Sequence, residues 1–305
     1  MDGLSHGEQT LHDIFRDSFV ARRGLSGPGD DCARIQPPAR SRLVLSCDQL
    51  VEGVHVESGT SARAMARKLL RRSLSDLAAA GASPWAASWT IAAPADRPLA
   101  WLKRLARAFV EEAAAFGCSV IGGDLSRAPA LVLSCTLLGR EGSRPAPGRG
   151  GARPGHWLVV TGRLGDAVRS GRHLRPEPRL VEGRILLERY RAAAMMDLSD
   201  GLAADLPRLC AASGVGAVVQ LDAIPLAPPL RHDEAGWRSA LGEGEDYELL
   251  AALRPAEARR ALADPVLRRA GLHVIGDVVA GAGVRWEVDG RAIDPGAAGW
   301  SHDWR

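Results

Sequence analysis

Residues 195–214 read MMDLSDGLAADLPRLCAASG. An apolar strand end or loop carries two aspartates three positions apart, enters a helical pattern and stops at Gly214. AVVQL follows, which predicts another strand. Upstream, HWLVVTG predicts a strand, RHLRPEPRL a loop and the next stretch a helix ending near Ala194. The first half alternates in the same way. Residues 42–47 (RLVLSC) and 131–138 (LVLSCTLL) are short β-prone runs, while 62–81 and 100–117 have helical spacing. Between the halves, residues 142–155 (GSRPAPGRGGARPG) break every regular pattern and predict a linker. The expectation is an α/β (α+β) protein with domains at 1–141 and 156–305 joined by 142–155.

A length of 305 residues suits two domains, and 46% apolar with 25% charged residues is ordinary for a folded chain. No stretch reaches the roughly 20 apolar residues a membrane span needs. The start lacks the basic-then-apolar layout of a secretory signal, which predicts a cytoplasmic protein. Five dispersed cysteines without a CxxC argue against a disulfide framework or structural zinc, and predict buried small hydrophobes. A net charge of +3, with arginines spread along the chain and only Lys68 and Lys103 as lysines, gives nucleic-acid binding little support.

No P-loop, dinucleotide fingerprint, GxSxG elbow, HExxH helix or EF-hand loop is present. What recurs is aspartate beside Gly or Ser at the ends of apolar segments: Asp30, Asp48, Asp76, Asp124, Asp197 and Asp200. Each alone reads equally well as a helix cap or turn former, Asp76 and Asp200 especially. Together they suit magnesium, which takes oxygen ligands, keeps waters and shares substrate phosphates. Gly122 and Gly123 read either as a close approach to phosphate or as a tight turn. GEGEDYELL reads either as a loop entering a strand or as a polar binding loop.

Taken in order, GDDCA (29–33), SCDQLVEGVHV (46–56), SLSDLAAAGASP (73–84), IGGDLSR (121–127), RGGARPG (149–155), MMDLSDGLAADL (195–206), GEDYELL (244–250) and GWSH (299–302) resemble the thiamine-monophosphate kinase family. That family is a branch of the superfamily of aminoimidazole ribonucleotide synthetase and selenophosphate synthetase. The resemblance implies two AIR-synthase-like domains. The N-terminal one pairs across a homodimer into a β-barrel, and the C-terminal one completes the nucleotide site. It implies transfer of the ATP γ-phosphoryl to thiamine monophosphate, with several Mg2+ ions. Matched position by position, Asp30, Ser46, Cys47 through its carbonyl, Asp48, Asp76, Asp124, Asp197 and Asp200 become metal ligands. Gly123, Asp124, Arg149 and Ser199 become ATP contacts, and His55, Glu245 and Trp300 substrate contacts; no residue is implied as base or nucleophile.

The chain departs from the family's usual pattern at Ser73, at Glu243 and at His156, where aspartate is usual after ARPG. An aromatic of the adenine pocket has no clear counterpart, and 171–184 is short. A selenophosphate synthetase would carry a reactive Cys or selenocysteine with a nearby Lys early in the chain, and no lysine precedes Lys68. Another ATP-dependent enzyme of the superfamily and a non-catalytic nucleotide-binding protein are the alternatives.

Overall fold

The computed structural model describes residues 6–17, 19, 21–28, 30–296 and 299–300. The chain divides into two compact units, Met1–Leu77 with Ser83–Arg140, and Ala78–Ala82 with Glu141–Arg305.

The first unit contains α1 (His6–Asp17), β1 (Leu43–Val51), α2 (Ala62–Ala79), β2 (Ser83–Ala93), α3 (Leu99–Ala115), β3 (Ser119–Arg127) and β4 (Val132–Arg140). Its sheet has the order β1-β4-β2-β3, with only β2 and β3 parallel. Period-2 alternation on β4 buries Leu133, Cys135 and Leu137 and leaves the intervening residues half-exposed. Helix α3 buries Leu105, Phe109 and Ala113 on one stripe, and Phe109 stacks on Trp89 of β2 at 4.0 Å between ring centroids. On β1 the alternation leaves Leu43, Leu45, Cys47 and Gln49 exposed and turns Ser46, Asp48 and Leu50 to the other face. The described strands form an open sheet and do not close a barrel.

The second unit adds β5 (Trp157–Val160), α4 (Leu180–Glu188), β6 (Ala194–Asp197), α5 (Leu202–Ser213), β7 (Gly216–Gln220), α6 (Glu234–Gly242), β8 (Leu249–Leu253), α7 (Pro255–Ala263), α8 (Pro265–Arg269), β9 (His273–Val279), β10 (Gly283–Val288) and β11 (Arg291–Ile293). Its mixed sheet runs β11-β10-β7-β9-β5-β8-β6. Leu158, Val160, Ala194, Met196, Leu250 and Ala252 face α5 and α6, while Val159, Met195, Leu249 and Ala251 face α4, α7 and α8. Burial on both faces is why these strands are unbroken apolar runs.

Helix α4 ends at Glu188, six residues before the expected end near Ala194. Arg191 takes a left-handed backbone (φ 53°), and the Ala- and Met-rich segment beyond it pairs antiparallel with β8, so sheet pairing overrides helix propensity there. The stretch 142–155 lies inside the second unit. Ala152 is buried in its core, and a Cβ on Gly151 would meet the Ala193 carbonyl oxygen at 1.9 Å. Of the cysteines, Cys118, Cys135 and Cys210 are buried, but Cys32 and Cys47 are exposed; all five are free thiols. Among the described residues no helix is long and apolar enough to cross a membrane.

Leu206 is fully buried on α5 within the cluster that includes Met196 and Leu250. Leu206→Ala is therefore expected to cost about 2–5 kcal/mol in urea unfolding. Val181→Ala, at a position 59% exposed, should fall within about 0.5 kcal/mol of the parent.

Candidate functional site

In the first unit, β1 and α2 bring three of the candidate residues together in two rungs. Ser46 Oγ hydrogen-bonds Asp76 Oδ2. Two residues along the same strand face, Asp48 Oδ1 lies 3.4 Å from Nε of Arg72, one helical turn before Asp76. Asp48 Oδ2 is buried and has no hydrogen-bond partner. A carboxylate oxygen removed from water without a partner is costly. Asp76 sits in the interior of α2, not at its start, so it is no helix cap. Ser73, at one of the departures from the family pattern, is buried and spends its hydroxyl on the Leu69 carbonyl.

Cys47, between the two rungs, points its thiol to the opposite, exposed face. Asp30 accepts from its neighbour's backbone N–H (Asp31) and lies 3.3 Å from Arg34. It shares a pocket of about 410 Å3 with Gly122, Gly123 and Ser88. The two glycines lie inside β3, so the tight-turn reading fails. Gly123 is required by close strand packing, since a Cβ there would sit 2.2 Å from the Trp89 carbonyl oxygen. Asp124 follows on the same strand, in register with Thr90 of β2.

His55 lies in the turn after β1, where its Nδ1 accepts the Val51 N–H at 3.0 Å. In the neutral ring the proton therefore sits on Nε2. The fully buried Lys68 donates to the His55 carbonyl at 2.6 Å and anchors this turn. Sequence reasoning passed over Lys68; the available signal was a rare lysine in a chain where arginine otherwise prevails. Arg72, beside Asp48, had no such signal.

In the second unit, backbone hydrogen bonds gather another group. Asp197 closes β6, and Leu198 N–H donates to Glu248 O. Tyr247 and Glu245 donate to Leu198 O and Ser199 O, and Trp300 donates to Asp200 O at 2.9 Å. Ser199, Asp200, Glu245 and Trp300 are thereby neighbours, and the Trp300 indole remains 41% exposed. Gly244 and Gly299 permit the approach, because Cβ atoms there would meet Ser199 O at 2.7 Å and Asp200 O at 2.6 Å. Helix α5 starts after Gly201 without a side-chain cap, and Asp200 Oδ2 is instead bound by Arg208. Asp205 takes the Asp200 N–H, and burial pushes its carboxyl up to about 6. Arg149 is exposed, with its carbonyl held by Ser213.

The loop bearing Glu245 is strained, with left-handed backbones at Glu245 (φ 58°) and Tyr247 (φ 53°). Between them Asp246 is buried. Its carboxylate accepts from Gly165 N–H at 3.0 and 3.2 Å and from Arg172 at 2.7 Å, while Arg172 also donates to the Gly165 carbonyl. Glu248 is gripped by the fork of Arg179 at 2.6 and 2.7 Å and by Thr161. These anchors escaped sequence reasoning, which read this segment either as a loop entering a strand or as a polar binding loop.

Among the described residues no three His, Cys, Asp or Glu side chains converge as a ready-made metal cage. The all-oxygen donors and the unpartnered Asp48 Oδ2 fit a hard cation that completes its shell with water and phosphate.

Burial outweighs Arg172 and Gly165 and pushes the Asp246 carboxyl up to about 7. A carboxyl with a folded-state value above its unfolded one binds its proton more tightly when folded. Its contribution to stability is thus full at about pH 4 and lost as pH rises through about 7. Asp246→Asn is expected to make the fall in stability across that window shallower by up to one proton, with Asp205 supplying the remainder. Urea midpoints from pH 4 to 8 measure it.

The AIR synthase related protein N-terminal domain profile matches residues 29–140, and the C-terminal domain profile matches residues 153–289. A thiamine-monophosphate kinase of Salmonella typhimurium is 39% identical over 251 residues, covering 73% of this chain and 75% of the relative. The crystal structure of thiamine-monophosphate kinase from Stenotrophomonas maltophilia superposes with a TM-score of 0.80 at 34% identity, over 92% of this chain and 96% of that one. A structure of AaThiL complexed with AMPPCP and TMP superposes with a TM-score of 0.76 at 30% identity, over 88% and 89%.

Proposed function

The chain belongs to the thiamine-monophosphate kinase family, and from that premise we propose that it transfers the γ-phosphoryl group of ATP to the phosphate of thiamine monophosphate, giving thiamine diphosphate and ADP. The observation that carries the reading in the structure is the pair of rungs on β1 and α2. An unpartnered buried oxygen of Asp48 beside the Ser46–Asp76 contact is an arrangement a bound cation stabilises. The residues that would hold magnesium are Asp30, Ser46, the Cys47 carbonyl, Asp48, Asp76, Asp124, Asp197 and Asp200. Bound magnesium supplies charge neutralisation for two polyanions that must approach in line.

The protein's own groups do the positioning. An oxygen of the acceptor phosphate forms the new bond to the γ-phosphorus as the bond to the ADP oxygen breaks. That acceptor is already largely ionised at neutral pH, so no side chain has to take a proton from it. His55, with its proton on Nε2, fits the part of a donor to the substrate and not of a base. Trp300 offers an exposed indole face to the cationic thiazolium, and Glu245 is held beside it by the strained loop. Gly123, Asp124, Arg149 and Ser199 are assigned to ATP, Arg149 because a guanidinium fork matches phosphate.

The domains we assign are an N-terminal one, ending near residue 141, for metal and dimerisation, and a C-terminal one that takes in 142–155 as well as the residues from 156. The working form is a homodimer that closes its barrel through the outer face of the first unit's sheet, where Leu43 and Leu45 are 37% and 65% exposed. Five free cysteines accord with a reducing cytoplasm.

The reading is tested by initial-rate assays of ADP release with thiamine monophosphate, with magnesium present and with magnesium chelated. ADP release should require both acceptor and metal. ATP binding without turnover would favour a non-catalytic nucleotide-binding protein, and turnover only with another acceptor would favour a different enzyme of the superfamily. Asp48→Asn and Asp200→Asn should each lower kcat by at least 100-fold, about 3 kcal/mol of transition-state stabilisation. Their metal-free melting temperatures should hold or rise, because like charge has been removed. Leu45→Glu should yield a monomer in size-exclusion chromatography with light scattering; an unchanged dimer would place the interface elsewhere.

A further inference from the structure

A second polar pocket, of about 250 Å3, lies in the second unit beyond the β6 end opposite Asp197. Three strand positions apart, Ala194 and Asp197 are separated by about 10 Å. Arg153, Arg191 and Arg254 all line this pocket, and none of the three forms an ion pair among the described residues. Its one lining carboxylate, Glu257, has both oxygens taken by Arg260 at 3.0 and 3.2 Å.

His156 completes the lining and is 8% exposed. Its Nδ1 accepts the Arg153 backbone N–H at 3.3 Å, which leaves Nε2 as a donor with no partner among the described residues. Burial, then the fields of Arg254 and Arg153, hold this imidazole below its usual range, as expected where positive charge lacks a counter-ion. Arg254 is also the residue from which α7 starts. That nine-residue helix has proline first and no side-chain cap, and Glu257 of its first turn lines the same pocket. The side chains around the cavity therefore offer three arginines and a ring N–H against one carboxylate already paired with Arg260.

We propose that this pocket binds a small tetrahedral oxyanion, inorganic phosphate or the phosphate of a small monoester, separately from the residues assigned to ATP and thiamine monophosphate. Its volume lies below the roughly 300–1,000 Å3 of clefts that enclose drug-sized ligands, which favours a single phosphate group over a nucleotide. The residue at 156 decides the site. An aspartate there would place a carboxylate among the three arginines and neutralise them, whereas His156 leaves them for a ligand.

The test reads His156 itself. Proton and nitrogen NMR signals of its ring are followed while inorganic phosphate, and separately glycerol 3-phosphate, is titrated against chloride at matched ionic strength. A saturable shift with either phosphate and none with chloride is expected, accompanied by a rise in the imidazole pKa. The two phosphate arms distinguish the free ion from the ester. Arg254→Ala should weaken binding about tenfold, the loss of one charge-assisted contact. His156→Asp should abolish phosphate protection against thermal unfolding in excess of that seen with chloride, while circular dichroism and kinase turnover stay at parental levels. A shift that never saturates, one that chloride reproduces, or binding unchanged in both variants overturns the proposal.

Discussion

Asp246 holds the second unit's share of the candidate site in shape. Its carboxylate reaches back to the Gly165 amide and to Arg172, and on either side of it the backbone of Glu245 and Tyr247 adopts left-handed conformations that non-glycine residues avoid. Strain of this kind persists only where the surroundings over-determine it. Here the surroundings are the buried ion pairs below and the hydrogen bonds to Leu198 and Ser199 alongside. Glu245, Ser199, Asp200 and Trp300 inherit their mutual positions from that arrangement. The Arg179–Glu248 fork does the same for the start of β8.

The first unit works by a complementary constraint. Ser46 and Asp48 share a face of β1 because strand side chains alternate, and Arg72 and Asp76 share a face of α2 because they lie one turn apart. The result is a cluster with one carboxylate oxygen buried and unsatisfied. Such a cluster is poor for stability in isolation and well suited to a hard cation that brings its own water and phosphate. The stacked Trp89–Phe109 pair of the same unit helps to offset that cost.

The alternation of strands and helices was legible in the sequence because buried strands are apolar runs and helices repeat every three to four residues. The α5 segment, with its stop at Gly214, follows the pattern closely. Where the reading failed, tertiary contacts had overruled local preference. Ala194 became the start of a strand through pairing with β8, Gly122 and Gly123 became strand through pairing with β2, and 142–155 packed into the second unit. The aspartates could be picked out as a set, but the capping alternative could not be set aside until Asp76 was seen mid-helix and Asp200 bound to Arg208. Arg72, Arg172 and Arg179 were invisible, since arginine abundance hides which guanidinium is buried against which carboxylate.

The most direct test of the account follows the transferred group. The chain is incubated with magnesium, thiamine monophosphate and ATP labelled on its γ-phosphate, and the products are separated. The account requires the label to appear in the terminal phosphate of thiamine diphosphate, in equal amount to the ADP formed. Label recovered only as inorganic phosphate, or retained in ATP that is bound but unreacted, would contradict it.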